Sequence, residues 1–180
     1  MKKINKELQN KILKMAEVDQ KVRKSGKFDI KKIRKIDRKN TKEMKKIIKG
    51  YGWPTISLVG KRASARAWLL VQHADRDLAF QKMCLTLIKK AAKNNDVSKW
   101  QIAYLTDRIL TNRKKKQIYG TQIRFNKETE IVTPYPIKNP KKVNKLRKSF
   151  GLESLEKYIK KVTKINKKLF GERKLPPRRR

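Results

Sequence analysis

Arg62–Lys93, RASARAWLLVQHADRDLAFQKMCLTLIKKAAK, is the stretch that decides the fold class. Ala67, Val71, Ala74, Leu78, Leu85, Ile88 and Ala92 recur at helical spacing and make one seam, with Gln81 inside it. Leu69, Phe80, Cys84, Leu87 and Ala91 make a second, with His73 and Asp77 inside it. The spacing predicts one helix over 62–93. A helix apolar on two faces lies between neighbours, so the chain reads as a helical bundle.

The neighbours are legible on either side. Ile4, Leu8, Ile12, Met15 and Val22 predict an amphipathic helix over 3–24, with Asp19 in line with them and Ser25-Gly26 ending it. A linking stretch follows. A short helix is expected over 41–49, stopped by Gly50, Gly52 and Pro54, and Ile56–Val59 reads as a connector closed by Gly60. After Asn94-Asn95-Asp96, Ser98 and Gln101 have the spacing of a capping box, and a helix runs to about Leu110. Ile123–Phe125 and Glu130–Pro136 are expected to pair as a hairpin. A short basic helix over 140–149 and a last helix from about Glu153 to Leu169 complete the reading. The expected architecture is mainly α: a single-domain helical bundle over 1–170, with a small β-hairpin near residues 117–137. A basic Pro/Arg tail, 171–180, is expected to be flexible.

Charge is the second strong signal. The 180 residues carry 52 Lys and Arg against 15 Asp and Glu, a net +37. Segments 1–50 and 113–180 hold +13 and +18 of it, and 51–112 only +6. Cationic flanks around a more ordinary core point to a polyanionic partner, RNA or DNA. An anionic membrane surface and a purely compositional lysine bias are the alternatives. The basic start is followed by no apolar segment of signal-peptide type, and no uncharged apolar run approaches the roughly 18 residues of a membrane span. Cys84 is the lone cysteine, so no intrachain disulfide is possible and a reducing compartment fits. The expectation is a soluble, cytoplasmic protein with no membrane partner.

The candidate site follows from charges placed on apolar stripes. An unpaired charge on a buried face costs several kcal/mol, so Asp19, His73, Asp77 and Asp107 together suggest a shared polar cavity. His73 is the only histidine, and Asp77 lies four residues on, which would put both on one helical face. An Asp bound to one imidazole nitrogen leaves the other as a general base. The competing reading is structural: a hydrogen bond across a helical turn, or a helix cap if the chain kinks near Asp75. Arg23 could pair with Asp19 or Asp107, and Arg23 or Arg108 could anchor an anion. Gln20, Gln72, Gln117, Tyr119 and Gln122 could bind substrate, or could serve only as loop hydrogen bonders. A metal reading would join His73 to Asp77, Asp107 and Asp19 and would suit Mn, Fe or Mg. No HExxH or CxxC supports it, so no metal ligand is assigned and the cofactor stays unknown. The chain has no P-loop, Rossmann glycine pattern or GxSxG.

Gly52-Trp53-Pro54, Gln72-His73-Ala74-Asp75, Ala103-Tyr104-Leu105-Thr106-Asp107-Arg108 and Gln117-Ile118-Tyr119-Gly120-Thr121-Gln122, taken as an ordered set, resemble a bacterial family known as domain of unknown function 6624. The resemblance covers roughly residues 15–158. It implies no particular activity. It implies that the family's recurrent polar positions match Asp19, Gln20, Gln72, His73, Asp107, Arg108, Gln117, Tyr119 and Gln122. The leading functional expectation is association with nucleic acid around a polar pocket at His73. The alternatives are a hydrolase or transferase, nuclease or toxin-like, with His73 as general base, and an interaction module with a purely structural polar core.

Overall fold

Leu8, Ile12, Ala16 and Asp19 are the buried residues of α1, Lys6–Lys24, one turn apart along a single face. The computed structural model to which this helix belongs describes residues 3–24, 29–126 and 128–171. The residues expected to end the first helix, Ser25 and Gly26, and the tail from 172 onward lie outside the described residues. The chain divides into two compact units, with the boundary between Leu105 and Thr106.

In the first unit, α2 runs from Ile30 to Tyr51. This corrects the expected linking stretch before residue 41. Asp29 caps the helix by accepting from the Lys32 amide at 2.9 Å, and Ile33, Asn40, Met44, Ile47 and Ile48 form one buried face. Gly52, at φ 72°, ends it. α3, Ile56–Gln72, is capped by Thr55 and bends at Gly60, where φ is 79°. Residues 56–59 are therefore a helical turn, not a connector. The Gln9 side chain donates to the Val59 carbonyl at this bend (2.8 Å), and a Cβ on Gly60 would lie 2.9 Å from Gln9 Nε2.

The helix expected over 62–93 is two helices. α3 stops at Gln72 and α4 spans Leu78–Lys93. Asp77 caps α4 by accepting from the Phe80 amide (3.0 Å), while the buried Gln81 amide donates to the Val71 and Gln72 carbonyls at the end of α3. These bonds satisfy both free helix ends, so the apolar pattern crosses a break without a glycine or proline to mark it. α1, α2 and α3 pack together around Ile12, Met44, Val59, Ala63, Ala67 and Val71. Trp68 donates to the Gln101 carbonyl (3.0 Å) and meets Trp100 edge-on at 4.6 Å, near the start of α5, Trp100–Asn112.

In the second unit, β1 (Ile123–Phe125) pairs antiparallel with β2 (Val132–Pro134), Arg124 facing Thr133. A 3-10 turn at Pro140–Lys142 leads into α6, Val143–Ser149, and α7 spans Leu155–Gly171. The mainly α class and the hairpin near 117–137 are as the sequence predicts.

Candidate functional site

His73 is the C-cap of α3, where its amide still donates to the Leu69 carbonyl (3.2 Å). The α3–α4 break turns the chain there and leaves the imidazole 15% exposed. Its Nδ1 lies 3.0 Å from Asp19 Oδ1. Asp19 is 1% exposed on the inner face of α1. A carboxylate only accepts, so Nδ1 carries the proton and Nε2 is the nitrogen left for chemistry.

Asp19 is the hub of a wider network. Gln20 Nε2 donates to its Oδ2 at 2.9 Å, and Arg23 Nε reaches both its oxygens at 3.3 Å. The other end of the Arg23 guanidinium pairs with Asp37 on α2. Burial pushes the Asp19 carboxyl up, but the His73 hydrogen bond and charge, Gln20 and Arg23 outweigh it and hold it below its ordinary range. Burial also acts on Asp37, and there it prevails over Arg23, holding the carboxyl above its ordinary range.

Arg23, Asp37 and His73 of this network line a cleft of about 830 Å³ within the first unit. Arg34, Arg38, Lys42, Lys45 and Arg76 line it, along with His73, Asp37 and the α3–α4 turn. Asp19, Asp37 and His73 offer ligand atoms within 4.8 Å of one another, spacing that would suit a divalent cation. The Arg23 guanidinium bridges both carboxylates, however, so the cation in this arrangement comes from the protein itself.

The sequence-predicted residues thus separate into groups. Asp19, Gln20, Arg23 and His73 come together. Asp77 lines the same cleft but does not share a helical face with His73: it caps α4 and pairs with Lys45 Nζ at 2.6 Å. The kink-and-cap alternative is the one observed. The Gln72 side-chain oxygen is buried with no hydrogen-bond partner among the described residues.

Asp107, Arg108, Gln117, Tyr119 and Gln122 belong to the second unit. Asp107, fully buried on α5, accepts from the amides of Ile118, Tyr119 and Thr121 and from the Thr121 hydroxyl, at 2.7–3.1 Å. Gln117 donates to the Gln122 and Tyr135 carbonyls and accepts from the Gln122 amide. Arg108 Nη1 reaches Gln122 Oε1 at 3.4 Å. Arg147, fully buried on α6, donates to the carbonyls of Tyr119, Gly120 and Glu153. These side chains hold a tight loop, 117–122, whose backbone groups would otherwise be buried unpaired. Sequence reasoning missed Asp37 and the cleft cations Arg34, Arg38, Lys42, Lys45 and Arg76.

The comparison with known families matches residues 6–168 to a family of unknown function, DUF6624. The chain belongs to the DUF6624 family. No curated protein and no solved structure matches it. The DUF6624 match covers the α1 aspartate, the α3–α4 histidine and the buried loop anchors alike. Among the described residues, no helix is long and apolar enough to cross a membrane.

Proposed function

We propose that this DUF6624 protein is a hydrolase or transferase acting on a phosphate-bearing substrate, with His73 as general base and Asp19 as its orienting group. One observation carries the reading: a buried carboxylate bound to Nδ1 of the only histidine, at a cleft lined by arginine and lysine. Asp19 fixes the tautomer and would stabilise the imidazolium formed when Nε2 takes a proton from the attacking hydroxyl or water. Arg34, Arg38, Lys42 and Arg76 offer cationic groups for the substrate's anion. The test is turnover of labelled RNA and of chromogenic phosphomonoesters and diesters by wild type and His73→Gln. The expected loss in the variant is about 10²–10⁴-fold, the usual worth of a positioned base. Undiminished turnover in His73→Gln refutes the role.

The net charge of +37 supports a second reading, electrostatic association with RNA or DNA through the basic flanks. It is compatible with the first, since both require an anionic partner.

A further inference from the structure

A second groove, of about 680 Å³, adjoins the cationic cleft in the first unit. Ile48 on α2 and Ala79, Phe80, Met83 and Leu87 on α4 make its apolar lining. Lys45 and Asp77 line both the groove and the cleft. Their ion pair is therefore a shared wall, with several cations and His73 on one side and mostly aliphatic and aromatic carbon, with Lys49 and Gly52, on the other. Met83 is 46% exposed in the groove, a large apolar side chain facing solvent.

We infer that the substrate is a single-chain amphiphile, its phosphate held in the cleft and its aliphatic chain lying in the groove. This rests on the anion-binding reading of the cleft and adds the chemistry of the rest of the molecule. Charge complementarity places the head, because Arg34, Arg38, Lys42 and Arg76 line the cleft alone, whereas the groove adds only Lys49 to the shared Lys45. The lining decides what the tail is. A nucleobase brings edge donors and acceptors that need partners when buried; the five apolar side chains supply none, and of the three charged ones Lys45 and Asp77 are engaged with each other. An alkyl chain asks only for carbon contacts. Met83, with its flexible thioether, adapts to chains of varied length.

The experiment is calorimetric titration of the full chain with butyl phosphate and dodecyl phosphate, both below the micellar concentration. Dodecyl phosphate is expected to bind about tenfold tighter or more, from the methylenes the groove removes from water. Met83→Gln, a neutral substitution at a half-exposed position, is expected to shrink that difference. Inorganic phosphate is expected to compete with both ligands. Equal affinity for the two chain lengths overturns the inference and leaves the anion site standing. Failure of butyl phosphate to bind overturns both. A dimer that Met83→Gln dissociates would show that a second copy of the chain covers the groove, and overturns the inference as well.

Discussion

Asp19 shows what a buried charge needs in order to persist. Its carboxylate is met by an imidazole, an amide and a guanidinium, so ionisation is favoured despite burial. A carboxyl held below its ordinary value of 3.8 stabilises the fold wherever it is ionised, and that contribution is lost as pH falls through the folded value. Asp37 has the opposite sign: its raised carboxyl favours the fold at low pH and opposes it as pH rises. Asp19→Asn removes the first contribution and leaves the second, with Arg23, His73 and Asp37 still facing the site. The variant is expected to be about 2 kcal/mol less stable at neutral pH, the scale of a hydrogen bond to a charged group. Denaturant melts of both proteins should show that gap narrowing below about pH 3.8. A gap independent of pH would mean that the loss comes from the amide's mismatched hydrogen bonds and not from the carboxylate's charge. At this scale the sequence was informative where its helix was recognised. Asp19 stood out because it broke the stripe of α1. Asp37 breaks a stripe too, between Ile33 and Asn40, but that stripe lies in a lysine-dense segment where the helix itself was not read.

Among the elements, the decisive feature is the break between α3 and α4. Apolar periodicity reports which residues face the core, and it continues across a turn when the second helix resumes near the phase of the first. Capping chemistry carried the missing signal. Asp77 three residues before Phe80 is a cap, and Gln81 reaches back to close the end of α3. Asp77→Ala is expected to cost about 1 kcal/mol, almost all of it from the lost cap. The Lys45 partner, with a side chain 52% exposed, contributes little to that figure. A thermal melt measures the loss, and a cost near zero would mean that the Lys45 pair and the cap are both dispensable. In the second unit the equivalent point is Gly120. Its φ is +67°, and a Cβ there would lie 2.9 Å from Leu155 Cδ1 and 3.1 Å from Ile137 Cδ1. Gly120→Ala combines backbone strain with crowding and is expected to cost about 2–3 kcal/mol. Unchanged stability would show that α7 can move away from the loop. Both hairpin strands were readable from the runs on either side of the turn residues at 126–129, with Pro134 confining the second to an edge.

At the scale of the whole molecule, the charge extends well beyond the part of the chain that lines the cleft. The His73–Asp19 network sits in a cleft whose cations come from α2 and the α3–α4 turn. The largest share of the net charge, +18, lies instead in residues 113–180. On α7, Lys157, Lys160 and Lys164 are exposed and share one helical face by their spacing. Composition made this charge obvious but could not say whether it faces solvent or fills a site. The burial pattern answers for these three lysines and leaves their partner to experiment. If the flank binds duplex DNA, log affinity should fall with log salt at about −0.9 per phosphate neutralised. Changing Lys157, Lys160 and Lys164 together to Gln should then flatten the slope by about 2.7 if each neutralises one phosphate. His73→Gln should leave the slope where it was, because it removes no phosphate-neutralising lysine or arginine. Fluorescence anisotropy over a salt series reads all three proteins. A slope unchanged by the triple variant would take the nucleic-acid contact away from α7. An affinity indifferent to salt would refute the nucleic-acid reading altogether and leave the lysine excess as a solvated surface.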